Sequence, residues 1–339
     1  MHRIARASST ELTAWILDDV WPETASMVAD LFAPEDQLIA PGIWPDFPRR
    51  YDWPVRGQTP AALQTIGRHL GMHRVAKAPG GVRQRVYLEH DRLLARRLAR
   101  AIDFRARHLV VAQSFLPWLD EVGALGGRTF DVVMSRYPLG EVHRLLDAAA
   151  VEIGPSGTIA DFRADPELVE READLLARAQ RIITPHHGIA GLFPERSVLL
   201  DWHRPQPSPR EPGNRVAFLG PTIARQRPDI ARRLGGSLDQ PLIVLGPVIE
   251  SLWDGVTIER REMAPGWLAD VGAILHPASL TSQPRALLEA LANGAKIYAT
   301  ETCGLAPSDY VPLESFNQPT AAPRARPGRA YRAAAAPAA

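Results

Sequence analysis

Short apolar runs alternate with segments of helical spacing along most of the chain, and this alternation predicts the fold. The apolar runs that predict strands in the first part are 108–113, 130–135, 181–184 and 197–201. The segments of helical spacing between them are 116–125, 139–150 and 166–179. Five further strands are predicted at 215–219, 242–245, 256–259, 271–275 and 296–299. Strands that alternate with helices predict parallel sheets covered on both faces, which is an α/β fold.

A break in the alternation divides the chain. The segment 204–213, RPQPSPREPG, combines prolines with charges and has no periodicity, so we predict a semi-rigid linker there. It separates a first domain, 1–203, from a second and smaller domain, 214–306. The segment 307–339 is rich in Pro, Ala and Arg without a hydrophobic face, which predicts a disordered tail.

The first hundred residues are less regular. The run 14–17 is a candidate strand followed by Asp18 and Asp19, and the Pro- and Trp-rich segment 39–60 is predicted to be a packed loop. The segment 92–105 has helical spacing and many arginines. These arginines either form a nucleic-acid face or a solvated helix face, and the second interpretation is preferred.

Composition and charge narrow the class of protein. The 339 residues suffice for about two domains of the usual size. A net charge of +1 gives no overall preference for nucleic acid or an anionic membrane surface. Cys303 is the sole cysteine, which excludes a disulfide framework and a thiolate metal site. Without a signal-peptide pattern or a long apolar run, we expect a cytoplasmic protein, with peripheral membrane contact left open.

The stretch 271–300, VGAILHPASLTSQPRALLEALANGAKIYAT, is the most informative part of the chain. An apolar run is followed by a polar loop, Pro284 stands where a helix begins, Gly294 ends the helix, and a second apolar run follows. This pattern predicts one right-handed parallel crossover. Ligands of such units bind at the carboxyl ends of the strands, so the loop 276–283 is a candidate site.

The same stretch resembles the glycosyltransferases of the GT-B fold, in particular the retaining family 4. The residues that match the motif of that family are Pro277, Leu287, Glu289, Ala290, Gly294, Ile297, Thr300 and Gly304. A weaker resemblance, by the order of the elements, extends over roughly 105–305. The resemblance implies two Rossmann-like parallel-sheet domains that face a cleft. It also implies transfer of a sugar from a nucleoside diphosphate donor, with retention and without a metal ion.

The resemblance further implies roles for single residues. Glu289 matches the glutamate that holds the nucleotide ribose, and Gly220 matches the glycine at the donor diphosphate. Thr281 stands where the family has another glutamate. Pro221 and Gln226 stand where it has two cations that bind the diphosphate.

Nearby residues can replace the missing family groups. Arg225 and Arg227 flank Gln226 and can bind a phosphate through their guanidinium forks, although two exposed arginines are the alternative. Ser282 and Gln283 offer hydroxyl and amide groups in the candidate loop, and Ser282 is also well placed to cap the helix. For Glu289 the alternative is a surface pair with Arg285.

His186 is the predicted catalytic residue. It follows the predicted strand 181–184, at a strand end that faces the cleft. An imidazole there can donate to a phosphate or act as a base near neutral pH. A helix cap or a surface histidine is the alternative.

The predicted function is therefore glycosyl transfer from a nucleotide sugar to a glycan, lipid-linked or small-molecule acceptor, with no cofactor besides this co-substrate. The alternative is a GT-B relative whose donor site has decayed and that acts as a binding or scaffolding protein. The departures at 221, 226 and 281 favour this alternative. A sugar-nucleotide epimerase ranks third, because carboxylates in the cleft cannot be assigned, and nucleic-acid binding ranks last.

Overall fold

The structure, a computed structural model, describes residues 11–42, 51–154, 156–207 and 213–316. In these ranges the chain forms two α/β lobes, each on a six-stranded sheet whose strand pairings are all parallel. The predicted fold class, two parallel sheets with helices, is confirmed. Part of the predicted loop (43–50), half of the predicted linker (208–212) and the tail beyond 316 lie outside the described residues.

The sheet of the first lobe has the strand order β2-β1-β3-β4-β5-β6. Its strands are β1 (Thr13–Ile16), β2 (Gln37–Ile39), β3 (His108–Ala112), β4 (Thr129–Val133), β5 (Ile182–Thr184) and β6 (Ser197–Leu199). The chain adds β2 on one side of β1 and β3 on the other. The order therefore reverses between β1 and β3, which makes this a topological switch point.

Helices cover both faces of the first sheet. They are α1 (Pro22–Leu31), α2 (Ala62–Arg74), α3 (Gly80–Ala99), α4 (Leu116–Glu121), α5 (Leu139–Ile153), α6 (Gly157–Ala160), α7 (Pro166–Arg178) and α8 (His187–Leu192). In β3 the side chains of Leu109 and Val111 pack in one core and that of Val110 packs in the core on the other face. Because both faces are buried, the strand reads as a continuous apolar run.

The sheet of the second lobe has the strand order β12-β11-β10-β7-β8-β9, with its switch point between β7 and β10. Its strands are β7 (Arg215–Leu219), β8 (Leu242–Leu245), β9 (Ile258–Arg261), β10 (Val271–His276), β11 (Lys296–Ala299) and β12 (Val311–Pro312). Helices α9 (Pro228–Gly235) and α10 (Arg285–Ala292) follow β7 and β10. The predicted crossover of 271–300 is thus present as β10, α10 and β11.

The described part of the predicted tail, 307–316, is folded, so the prediction of disorder is wrong there. The sixth strand, β12, pairs with β11, and Phe316 packs edge-on against Tyr298 with ring centroids 4.9 Å apart. A two-residue strand has no periodicity by which the sequence could have revealed it.

The arginine-rich helix also differs from the prediction, since α3 begins at Gly80 rather than at 92 and ends at Ala99. Its first turn is capped by a residue that is distant in the sequence. The Asp161 carboxylate accepts hydrogen bonds from the backbone N–H groups of Gly80 and Gly81, at 3.1 and 2.8 Å. A cap supplied some eighty residues later leaves no local signal.

Two further findings concern the sole cysteine and the length of the helices. Cys303 is buried, and burial raises the pKa of its thiol to about 11. Among the helices of the described ranges, none is both long enough and apolar enough to cross a membrane.

A buried ionic cluster lies near the amino end of the first sheet. The Asp131 Oδ2 atom is 3.0 Å from His108 Nε2 and 2.5 Å from Arg181 Nη2. Burial alone would raise the pKa of Asp131, but the hydrogen bonds from His108 and Arg181 outweigh it and lower this pKa. The side chain of Asp131 is fully buried, so its charge depends on these two partners.

We expect Asp131→Asn to lower the free energy of unfolding by about 3 kcal/mol, because it removes the fully buried carboxylate charge that His108 and Arg181 bind. Urea unfolding followed by circular dichroism measures the change. Asp103→Asn, which removes the exposed pair with Arg105, is the control and should leave the midpoint unchanged. Equal midpoints for the two variants would show that the buried cluster does not stabilise the fold.

Candidate functional site

The carboxyl ends of the two sheets face each other. Loops that follow strands of one sheet contact loops that follow strands of the other. His186 after β5 meets Thr281 after β10, and Glu23 in α1 meets Arg285. Both switch points therefore open towards the same crevice, where ligands of open parallel sheets bind.

An interlobe cavity of about 200 Å³ lies in this crevice. The first lobe lines it with residues of α3, α5 and the loop after β4, and the second lobe with Arg225, Leu280 and Ser282. The lining residues are Gln84, Tyr87, Leu88, Asp91, Arg136, Tyr137, Leu139, Val142, Leu146, Phe162, Arg225, Leu280 and Ser282. Of the predicted site residues, the structure brings Arg225 and Ser282 together here.

Arg225 is the charged group that the second lobe contributes to the interlobe cavity. Its guanidinium carbon lies 4.4 Å from the ring centroid of Phe162, whose backbone has a φ of 64°. A positive φ at a bulky residue is strained and is often found at functional sites. No carboxylate within the described ranges forms an ion pair with Arg225. Burial, and then the nearby charge of Arg83, lower the pKa of Arg225, so an anion bound in this cavity would be stabilised.

The first-lobe pocket, a second space of about 210 Å³, opens at the switch point between β1 and β3. It shares Tyr87, Asp91 and Arg136 with the interlobe cavity, so the two spaces adjoin. Asp18 accepts hydrogen bonds from Arg68, at 2.5 and 3.1 Å, and from the Ser114 hydroxyl at 2.9 Å.

Asp91 is one of three carboxylates that line the first-lobe pocket, with Asp18 and Asp19. It is 3% exposed, and its Oδ1 atom lies 3.4 Å from Arg68 Nη2. Burial, which outweighs the attraction of Arg68, raises the pKa of Asp91. Two features of the sequence point to this pocket. They are the pair Asp18–Asp19 after a candidate strand, and Gln113 and Ser114 at the end of the predicted strand 108–113.

A wider cleft of about 460 Å³ lies on the other side of the loop 277–283, between α5 and the ends of β10 and β11. Ser279, Thr300 and Thr302 line it, and so does Arg227. Arg227 is engaged: its guanidinium binds Asp229 in its own lobe and Glu152 in α5, at 2.9 and 2.6 Å. Arg227 therefore differs from Arg225, which has no such partner in the part of the chain that the structure describes.

Arg285 forms a bidentate ion pair between the lobes. Its guanidinium nitrogens bind both carboxylate oxygens of Glu23 at 2.7 Å, and its guanidinium carbon lies 4.8 and 5.3 Å from the rings of Trp21 and Trp202. Burial alone would raise the pKa of Glu23, but the hydrogen bonds from Arg285 and from the His203 backbone outweigh it and lower this pKa. Arg285 thus pairs with the other lobe and not with Glu289.

His186 also lies between the lobes, and it is completely buried. Its Nδ1 atom accepts a hydrogen bond from Ile189 N–H at 3.2 Å, so Nε2 carries the proton and donates to the Thr281 carbonyl at 2.7 Å. Burial, which outweighs the bond to Thr281, lowers the pKa of His186 to about 4. Both ring nitrogens are occupied, as the capping alternative implies, and the catalytic role stays a prediction.

Thr281 is fixed by three hydrogen bonds. Its N–H donates to Thr302 O at 3.2 Å, its hydroxyl lies 2.8 Å from His276 Nε2, and its carbonyl accepts from His186. His276 is buried, and burial lowers its pKa to about 4. Thr281 therefore holds the candidate loop in place where the family has an acid.

The remaining predicted residues, Gly220, Gln283 and Glu289, line none of the three spaces described above. Gly220 ends β7 with a φ of 116°, a conformation that glycine adopts without strain. Gln283 is half-buried in the loop, and Ser282 does not cap α10, because that helix begins after Pro284 without a side-chain cap. Glu289 accepts a hydrogen bond from Trp267 Nε1 at 3.2 Å. Its ribose role stays a prediction.

No protein-family model matches the sequence, and no curated protein matches it. Some solved structures have a similar fold over most of the chain. The lipopolysaccharide outer core galactosyltransferase WaaB is 10% identical over 89% of this chain and 84% of its own, with a TM-score of 0.45. A trehalose 6-phosphate synthase from Burkholderia multivorans is 12% identical over 90% and 86%, with a TM-score of 0.43. A UDP-glucosyltransferase from Polygonum tinctorium is 11% identical over 85% and 79%, with a TM-score of 0.43. These likenesses concern the fold and assign no activity.

Arg285→Ala should loosen the contact between the lobes, because it leaves the buried Glu23 carboxylate without its partner and uncovers Trp21 and Trp202. Removing one member of a buried pair costs about 3–5 kcal/mol. We expect a larger radius of gyration by small-angle X-ray scattering and a shifted tryptophan emission. Arg204→Ala, which removes the exposed pair with Asp309, is the control. Identical scattering from Arg285→Ala and the unaltered protein would contradict the assigned role.

Stability should fall as the pH is lowered from about 6.5 to about 4. His186 and His276 are neutral in the folded protein over this range, whereas the unfolded chain binds protons at both. The unfolded state then holds more protons, so the free energy of unfolding decreases by up to about 1.4 kcal/mol per pH unit for each histidine. Urea unfolding at several pH values measures the slope. His276→Gln should reduce it by about one proton, and an unchanged slope would contradict the assignment.

Proposed function

We propose that this protein is a glycosyltransferase that moves a sugar from a nucleoside diphosphate donor to an acceptor held in the first lobe. One observation carries the proposal. Arg225, a partly buried guanidinium with no carboxylate partner in the described ranges, lines the cavity between two parallel sheets at the switch point of the second. This is the position at which such sheets bind phosphorylated ligands.

The donor diphosphate binds Arg225 and the loop that contains Ser282. During transfer the bond between the anomeric carbon and the diphosphate oxygen breaks, and a bond to an acceptor oxygen forms. Negative charge grows on the leaving diphosphate, and the Arg225 guanidinium stabilises it through charge-assisted hydrogen bonds. Phe162 keeps the guanidinium in place from the opposite lobe. Retention at the anomeric carbon, implied by the family resemblance, is part of the proposal.

The acceptor binds in the first-lobe pocket, which adjoins the donor cavity. Asp18 and Asp91 present carboxylate oxygens there, and such oxygens accept hydrogen bonds from sugar hydroxyls. The raised pKa of Asp91 brings this group closer to neutral pH, where a carboxylate can take up the proton that an attacking hydroxyl releases. For His186 to serve as a base, its bond to Thr281 would first have to open.

A second candidate function, a binding or scaffolding protein with a decayed donor site, is favoured by Thr281. This residue replaces the acid of the family, and its backbone and side-chain groups are used to hold the loop against the first lobe. Release of sugar from a nucleotide donor, even by slow hydrolysis, separates the two candidates. A scaffolding protein would release no sugar from the donor, whether or not it binds the nucleotide.

Titration calorimetry with UDP, GDP and their sugar conjugates tests the donor site. Arg225→Ala should weaken the measured affinity about 10- to 150-fold, because it removes hydrogen bonds to a charged group worth about 1.5–3 kcal/mol. Arg233→Ala, on the exposed side of α9, is the matched control and should bind normally. Failure of every nucleotide to bind the unaltered protein, or equal affinity of both variants, would overturn the donor assignment.

Glu289→Ala tests the predicted ribose contact separately. If Glu289 binds the ribose, the variant loses affinity for UDP but not for pyrophosphate, since only the first ligand has a ribose. Trp267→Phe serves as the control, because it removes the hydrogen bond to Glu289 while keeping the carboxylate. A loss of stability without a loss of UDP affinity would show that Glu289 only holds Trp267.

A further inference from the structure

A groove of about 540 Å³ lies on the first lobe, away from the crevice. It is formed by the last turns of α3, the turn that leads to β3, and the connection from α4 to β4. Its lining residues are Arg96, Ala99, Arg100, Ile102, Val122, Ala124 and Arg128. The turn and the connection precede β3 and β4, so the groove lies at the amino edge of the sheet. A five-residue strand separates the two edges by about 16 Å.

The rim of the groove carries an excess of positive charge. Arg92 and Arg96 both bind Glu121, which is the only carboxylate in the described ranges that pairs with the arginines of the rim. Arg128 donates to the carbonyls of Ala106 and Ala124, and no carboxylate of the described ranges forms an ion pair with it.

Two more arginines, Arg97 in α3 and Arg100 directly after it, add to this excess. Arg97 donates only to the Pro60 carbonyl, at 2.9 Å, and Arg100 is exposed without an ion pair in the described ranges. The net charge of the whole chain is +1, so the excess is local. We name this surface, Arg92, Arg96, Arg97, Arg100 and Arg128 with the groove between them, the basic face.

Apolar side chains project beside the basic face. Phe104, in the turn after α3, is 85% exposed, which is unusual for a side chain of this size. Leu93 is 44% exposed and Val122 is 41% exposed. The floor of the groove is aliphatic, with Ala99, Ile102 and Ala124. Cations around an aliphatic floor and an exposed aromatic ring match an interface with anionic headgroups above and acyl chains below.

We propose that the basic face docks the protein on a membrane surface that contains anionic lipids, with the Phe104 ring inserted between the headgroups. The arginines pair with lipid phosphates, and the aliphatic floor covers the upper acyl chains. Nucleic acid fits the face less well, because single-strand binding relies on several aromatic platforms, whereas Phe104 is the single exposed ring beside the groove in the described ranges. Docking at the amino edge of the sheet leaves the crevice between the lobes open. The membrane proposal therefore does not depend on the proposed glycosyltransferase activity.

Vesicle co-sedimentation with the full chain tests the proposal. We expect binding to phosphatidylcholine vesicles that contain about 30% phosphatidylglycerol and little binding to phosphatidylcholine alone. Arg97→Ala with Arg100→Ala should weaken binding about 25-fold, since each arginine near an anionic surface contributes about fivefold. Raising the salt from 0.1 M to 1 M shortens the Debye length from about 10 Å to about 3 Å and should abolish most binding.

Matched controls distinguish binding through the basic face from a general effect of the net charge of the protein. Arg232→Ala with Arg233→Ala, in α9 of the second lobe, changes the net charge equally and should bind normally. Phe104→Ser should weaken binding about tenfold, whereas Val151→Ser, at a position 88% exposed on α5, should not.

Three results would overturn the proposal. The first is the absence of binding to anionic vesicles. The second is an equal loss of binding in the two double variants. The third is tighter retention of a short DNA duplex than of anionic vesicles, with Phe104→Ser unaffected, which would assign the basic face to nucleic acid.

Discussion

A nearly buried carboxylate joins the two lobes, and the shape of the crevice depends on it. The Glu23 side chain is 1% exposed, and Arg285 reaches it from the second lobe. A carboxylate in such surroundings stays charged only if a partner is in place. Trp21 and Trp202 bracket the guanidinium and hold it in line with Glu23. This ion pair therefore helps to fix the relative position of the two sheets, together with the ion pair between Arg227 and Glu152.

The loop before α10 is also held in place by contacts between the two lobes. Its Thr281 is tied to His186 of the first lobe, and the Gly304 carbonyl accepts hydrogen bonds from Trp202 Nε1 and the His187 backbone, at 2.9 and 3.2 Å. The candidate donor site is therefore a property of both lobes. Neither the position of Arg225 over Phe162 nor the form of the cavity would persist if the lobes separated.

The sequence predicts those elements of the fold that local patterns of residues determine. Apolar runs located the strands from β3 to β11, and the pattern of 271–300 predicted the crossover around α10. What the sequence could not predict are contacts between distant residues. Glu23 and Arg285 are 262 positions apart, and sequence analysis paired Arg285 with Glu289 instead. The sequence alone does not show which of Arg225 and Arg227 is available to bind a phosphate. The structure distinguishes them, because Arg227 binds Asp229 and Glu152.

The burial of Cys303 has a practical consequence. It is the one thiol of the chain, it is fully enclosed, and it holds its proton well above neutral pH. Thiolates, not thiols, react with maleimides and similar reagents. A cysteine introduced on the surface of each lobe would thus accept a spectroscopic label without background from the native residue. The opening and closing of the crevice can be followed as a distance between two such labels in an otherwise unaltered chain.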